Sequence, residues 1–397
     1  MALDIFFVFL CVGLALLTIQ APKYFHGVGT TENRTASIDG LRGLLAFFVF
    51  LHHSVIWQQY AKTGQWRLPN QLFTHFGQIS VMLFFMITAF LFTGKVIRSK
   101  TKPIDWLQLF VGRVLRLSPL YIVCVIFLAL VVCLLSGFTL KEPAIPLLAK
   151  SVRWILFTIP GAPDLNGVTN TRYIMAGVTW TLVYEWIFYL LLPTIALVLS
   201  RQVSLIACLL TFSVAAVLIF IKRDAILLMP FLLGMVAAAV ANRPDLKAFA
   251  NTKMATLLVL ALFLTTATFF KHAHQAAPIL LIGAAFVLIA AGNSLQGLLV
   301  NKTTRMLGEC AYGIYLTHGL ILYLAYHFVV GKENAAAYQP WQHWILVAIC
   351  SPILIIVSYA SFRWIEAPAM RATPTIMHRL RSKRTHATSP ASNVVKP

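Results

Sequence analysis

Ser37-Ile38-Asp39-Gly40-Leu41-Arg42-Gly43 runs directly into Leu44-Leu45-Ala46-Phe47-Phe48-Val49-Phe50-Leu51-His52-His53. Two charges and two imidazoles thus stand at the mouth and inside of an apolar run fit to span a membrane. Arg42 and His53 are eleven residues apart, so at about 100° per residue they differ by only about 20° around a helix. At ~1.5 Å per residue, His53 lies roughly 16 Å deeper than Arg42, about half of a ~30 Å hydrocarbon core. Asp39 precedes Arg42 by three residues and falls near the same face. The stretch places an ion-paired arginine at one membrane surface and a titratable base near the midplane beneath it.

The composition agrees with a membrane setting. Of 397 residues, 59% are apolar and only 11% charged, whereas a soluble domain carries about a quarter charged residues. The formal charge of +20 does not form a stripe on a folded domain, so no nucleic-acid partner is expected. Basic residues gather instead in short loops between apolar runs, and the lipid bilayer is the expected surrounding. The six cysteines, at 11, 124, 133, 208, 310 and 350, fall within or beside apolar runs and form no C-x-x-C pair. Neither a disulfide framework nor a metal site is suggested.

The fold class expected is an all-α polytopic membrane protein of about eleven transmembrane helices, near residues 4–19, 41–60, 77–95, 118–137, 179–199, 203–221, 225–241, 254–270, 277–293, 310–330 and 342–365. Residues 4–19 begin with Asp4, lack a basic flank and end without a small-x-small cleavage site, which favours a retained helix over a signal peptide. Residues 138–178 make the longest loop, and Ser151 to Ile159 within it reads as an interfacial or re-entrant segment. Three regions follow. Residues 1–36 are an N-terminal helix and loop, 37–370 the membrane domain, and 371–397 a basic tail whose composition reads as disordered.

Charge counting sets an orientation. With Lys95, Arg98, Lys100, Lys102, Arg113 and Arg116 in the cytoplasm, cytoplasmic segments hold 22 of the 32 Lys and Arg residues, the excess that the positive-inside rule requires. The C-terminus is then cytoplasmic, the N-terminus outside, and Arg42 lies at the cytoplasmic face.

Four groups of residues carry candidate chemistry. A neutral imidazole at His53 suits general-base work on a hydroxyl, and polar groups at that depth are functional by default. His52, rotated by about 100° from it, cannot share its face. Arg113 and Arg116 share one helical face at the boundary and suit phosphate groups, such as the nucleotide end of coenzyme A; topology-setting charge explains them equally well. Glu185 lies inside the apolar run from Trp180 to Tyr189 with Thr181 and Tyr189 four residues to either side. It must be paired, protonated or facing water, and could pair with an arginine or hydrogen-bond His53. Tyr312, Tyr315 and His318 step by three along another apolar helix, where bundle packing competes with substrate contact. His272 and His274 read as solvated loop residues, and Arg363 to Pro368 as a helix boundary.

These stretches, in this order, resemble the acyltransferase-3 family of integral membrane O-acyltransferases. The resemblance rests on DGLRG with Arg42 and His53, R-x-x-R-x-x-P-x-Y at Arg113 to Tyr121, and W-T-L-x-x-E-x-x-x-Y at Trp180 to Tyr189. It continues through Y-x-x-Y-L-x-H at Tyr312 to His318 and E-x-P at Glu366 to Pro368, covering about residues 37–370. It implies ten core helices, with residues 4–19 additional. It also implies acyl transfer, often acetyl, from cytoplasmic acyl-CoA to a hydroxyl of a glycan or other acceptor beyond a bacterial inner membrane. On that footing His53, Glu185, Arg42 and Asp39 are the expected catalytic group, and Arg113, Arg116 and Tyr121 the expected acyl-CoA site. Trp180, Tyr184, Tyr189, Tyr315 and His318 are expected to contact substrate, with acyl-CoA as donor and no permanently bound cofactor or metal. The competing expectation is a transporter or flippase in which His53 and Glu185 relay protons.

Overall fold

The computed structural model describes residues 2–21, 36–68, 70–99, 104–199, 203–222 and 224–388. The loop at 22–35, Lys100, Lys102 and the end of the tail at 389–397 lie outside the described residues. In chain order the helices are α1 (Ala2–Gln20), α2 (Ala36–Thr63), α3 (Gln71–Arg98), α4 (Trp106–Leu135), α5 (Ala144–Ile155) and α6 (Trp180–Val198). They continue with α7 (Leu205–Lys222), α8 (Met229–Val240), α9 (Pro244–Ala250), α10 (Lys253–Phe269), α11 (Ala276–Ala290) and α12 (Lys302–Glu309). The last are α13 (Ala311–Leu324), α14 (Lys332–Ala337), α15 (Pro340–Ser361), α16 (Ala367–Arg371) and α17 (Thr373–Thr388). No strand occurs among the described residues.

Helices α1, α2, α3, α4, α6 and α15 are each long and apolar enough to cross a membrane. The other five expected segments fall on shorter or interrupted helices. Helices α7, α10 and α11 are short apolar rods, and the segment Ala225–Val240 turns by 108° into α9. The fifth, α13, passes into a π-helical turn at Ala325–Val329.

Helix α2 is the hub, packed against α3, α12 and α13. The DGLRG glycines explain how. A Cβ on Gly40 would collide with the Leu299 carbonyl, and one on Gly308 with the Asp39 carbonyl. Bare backbones therefore touch where α2 begins, and Arg42 is held at a fixed depth. Gly308→Ala is expected to destabilise the protein by about 1–3 kcal/mol, read as a lower melting temperature, because backbone has no rotamer with which to yield.

Around the hub the remaining elements are set by their own sequences. Helix α1 packs on α15, where Asp4 accepts the Trp344 indole N–H at 2.9 Å and Phe7 stacks on the same ring. Helix α5 turns Ile145, Leu148, Val152 and Ile155 outwards, the apolar stripe of an interfacial helix. The Asn166 amide donates to Ser136 Oγ at 2.9 Å and to the Thr139 carbonyl at 2.8 Å. Glu142 accepts from Lys150 Nζ and from the Asn166 N–H, both at 2.5 Å. Lys150 beside it holds the Glu142 carboxyl below its ordinary range. The tail, expected to be irregular from residue 371, is helical as far as Thr388, and Arg381 pairs there with Asp105.

Candidate active site

His53 comes from the middle of α2 and meets His318 from α13, with His318 Nε2 at 3.1 Å from His53 Nδ1. The His53 Nδ1 also lies 3.0 Å from the Val49 carbonyl, and the His318 Nδ1 3.1 Å from the Ile314 carbonyl. A carbonyl oxygen only accepts, so each Nδ1 carries the ring proton. His318 Nε2 is then a lone pair that accepts from His53 Nδ1–H, a proton shared with Val49. This leaves His53 Nε2 as a bare lone pair, the form a general base requires.

His52 stands apart. Its Nδ1 donates to the Phe73 carbonyl at 2.7 Å, and its ring lies where a Cβ on Gly77 would be. It ties α2 to α3.

Two cavities approach the imidazole pair from opposite ends of α2 and α13. The first, of about 390 Å³, is lined by Asp39, Arg42, Lys95, Arg98, Arg113, Arg116, Thr181, Glu185, Tyr189, Tyr312 and Tyr315 among others. Its five basic and two acidic side chains leave an excess of three positive charges, a field that concentrates anions. Arg42 pairs with Asp39 at 3.9 Å. The Arg113 guanidinium lies 4.9 Å above the Phe92 ring, and Arg116 Nη1 is 3.5 Å from Glu366 Oε2 and 3.0 Å from Met370 Sδ.

The second cavity, of about 310 Å³, is lined largely by rings. Trp57, Tyr60, Tyr173, Tyr323, Tyr326 and His327 surround it, with Lys141 and Asn170 at its edge. The Tyr326 hydroxyl oxygen lies 2.5 Å from His343 Nδ1. The two linings share no residue, and His53 and His318 belong to neither. Val49, Ala176, Val178 and Tyr315 pack with Phe84 and Trp66, and of these Tyr315 and Phe84 belong to the lining of the basic cavity. Trp66 is 6.4 Å from His53 and stacks at 4.1 Å on Tyr173 of the ring-lined cavity. Tyr315 links the other way, lining the basic cavity while its ring is 6.1 Å from His318. The imidazole pair therefore occupies the septum.

Several expected site residues come together and others do not. Asp39, Arg42, Arg113, Arg116, Glu185, Tyr189 and Tyr315 all line the basic cavity. Glu185 is not the partner of His53. It accepts from the Tyr189 hydroxyl at 3.1 Å, while His318 holds the histidine. Tyr121 is fully buried, donating to the Trp154 carbonyl at 2.7 Å and stacked on Phe157, so it does not reach the cavity. A buried phenol needs an acceptor, and that carbonyl supplies it. Trp180 and Tyr184 also turn away, packing against each other and Phe85. On α6 the polar part of the cavity face is the four-residue ladder Thr181, Glu185, Tyr189, with Leu182 beside it, and Trp180 and Tyr184 are rotated by about 100° to its other side. His272 is exposed, whereas His274 is half-buried and its imidazole is held below its ordinary range by burial.

The polar stripe of α13 ties that helix down three times. Tyr312 donates to the Leu117 carbonyl at 2.7 Å, and Tyr315 to the Val178 carbonyl at 3.1 Å. His318 completes the set through His53. Glu366, read from the sequence as a helix boundary, is instead wholly buried beside Arg116. The signal that pointed to it is a carboxylate in a run of apolar residues just before a proline.

No curated protein and no solved structure matches the chain. Residues 35–363 match the family model described as an acyltransferase domain. That span contains Arg42, both histidines of the septum, Arg113, Arg116 and the α6 ladder. The chain belongs to the acyltransferase-3 family, and it is a membrane acyltransferase.

Proposed function

We propose that the protein moves an acyl group, acetyl in the simplest case, from cytoplasmic acyl-CoA to a hydroxyl of a sugar-containing acceptor outside a bacterial inner membrane. The observation that carries this reading is the bare Nε2 of His53 in the septum between a basic cavity and a ring-lined one. By the positive-inside rule the basic cavity faces the cytoplasm, where acyl-CoA is made.

The steps follow from the residues. Arg113 and Arg116 bind the donor's phosphates, Arg113 presenting a planar fork and Arg116 a guanidinium already fixed on one side. Arg42, steadied by Asp39, keeps the mouth of the cavity polar. The thioester reaches inward by roughly 16 Å, the rise from Arg42 to His53 along α2. The acceptor enters from the other side, where aromatic faces suit the apolar faces of sugar rings. His53 Nε2 takes the hydroxyl proton as the oxygen attacks the thioester carbon. The tetrahedral intermediate then expels the CoA sulfur, which recovers that proton from the imidazolium. Holding both substrates in a ternary complex turns the step into an effectively unimolecular one.

Incubating the purified protein with isotopically labelled acetyl-CoA and exported glycan tests the reading by the mass of the product. Label must appear on the acceptor; loss of donor to water alone would defeat it. Replacing both Arg113 and Arg116 by glutamine is expected to raise the KM for acyl-CoA about tenfold or more, since each is a charge-assisted contact. An unchanged KM would reduce them to topology signals.

A further inference from the structure

Glu366 is the most deeply buried carboxylate among the described residues, with a side-chain exposure of 0% beside an Arg116 exposed by 12%. Neither carboxylate oxygen has a hydrogen-bond partner among the described residues. The guanidinium of Arg116 at 3.5 Å is the cation that compensates it. Buried carboxylates are expensive, and Arg116 is the one cation within ion-pair distance of this one among the described residues.

Its position comes from local chain geometry. Residues Phe362–Glu366 form a π-helical turn that leads into α16 and packs against α4. Pro368 follows two residues later and has no N–H for the helical ladder, which favours a widened turn just before it. The extra residue shifts the helical phase by about 100°, the angle needed to swing one side chain from lipid to bundle. Arg116, on the facing surface of α4, lines the basic cavity; Glu366 does not. The carboxylate therefore stands behind the arginine, away from any ligand in the cavity.

We propose that Glu366 is a positioning residue for the donor site, holding Arg116 against the deep wall so that its remaining N–H groups face an entering phosphate. This rests on the reading of the basic cavity as an acyl-CoA site. An arginine on a flexible stem in a cavity with four other cations would be driven outward by their repulsion and by its own affinity for water. A carboxylate behind it reverses that drift and leaves the open side positive. Asp39 does the same for Arg42 from inside the cavity, so the two carboxylates act on opposite sides of their arginines.

Coenzyme A itself is the probe, titrated calorimetrically into the full-length protein in nanodiscs. Glu366→Gln keeps the shape and removes the charge, and it is expected to weaken CoA binding about tenfold. Because Glu366 acts through Arg116, the double variant with Arg116→Gln should bind no more weakly than Arg116→Gln alone. Turnover at saturating donor should change little while KM rises. Wild-type affinity in Glu366→Gln, or penalties that multiply in the double variant, would overturn the proposal. Where Glu366→Gln does not fold, Glu366→Asp keeps the charge but withdraws it by one methylene; about threefold weaker binding is expected, and unchanged binding refutes it. A wild-type protein that fails to bind CoA defeats the donor reading itself, a result distinct from either.

Discussion

Replacing His53 with alanine is expected to lower turnover by about 10²–10⁴-fold, the range lost with a general base, while the protein remains folded and inserted. The argument starts from the ring proton. Val49 and His318 both draw it to Nδ1, so the lone pair sits at Nε2 and the histidine is a base before any substrate arrives. Alanine removes the base and opens a small space on α2, but leaves the contacts that position that helix at Gly40, Gly43 and Gly308. Melting temperature should therefore move little compared with Gly308→Ala. The assay is labelled acyl transfer at saturating donor and acceptor, so that only the chemical step is read. A His53→Ala protein with near-normal turnover would remove His53 from the reaction. His52→Ala is the companion: it removes the hydrogen bond to the Phe73 carbonyl on α3, so it should lower stability while costing far less turnover than His53→Ala.

His318→Ala is expected to reduce kcat by about 10–100-fold with the KM for acyl-CoA unchanged. When His53 Nε2 takes a proton, its Nδ1–H bond to His318 becomes a hydrogen bond from a cation. Such bonds are worth about 1.5–3 kcal/mol, against about 0.5–1.5 kcal/mol for neutral ones. The difference is realised as charge develops, so it appears in the rate and not in ground-state binding. The His318 ring also restricts His53 to one orientation, being fully buried and itself anchored to the Ile314 carbonyl. His318→Gln can offer a carbonyl oxygen at a similar reach and should recover part of the loss. If His318→Ala instead raised KM and spared kcat, His318 would belong to substrate binding, as the sequence suggested.

The reading of α2 survives into the structure because everything it needed was local. Eleven residues at a fixed rise and angle determine how deep His53 lies below Arg42, and the i,i+3 spacing brings Asp39 to that arginine. The α6 ladder was legible for the same reason as far as Tyr189 and Glu185. What spacing could not reveal was which face of α6 meets the cavity, and so Trp180 and Tyr184 stood as candidates beside Tyr189, while Thr181 did not. Tyr121 misled differently, since its place in a motif does not tell that a carbonyl 33 residues away claims its hydroxyl.

The amino-acid sequence by itself determined that this is an all-helical membrane protein, that it belongs with acyltransferases, and where its arginines and central histidine lie along their helices. Hydrophobic run length, charge placement and helical periodicity are properties of short segments, and the bilayer acts on each segment separately. Only the tertiary structure decided the pairings. His318 reaches His53 across 265 positions, and Arg116 meets Glu366 only after a π-helical turn swings the carboxylate inward. Such contacts depend on how helices pack, and glycine faces such as Gly40 against Leu299 set that packing to within a fraction of an atom's width. No periodicity within one helix encodes which neighbour it will face.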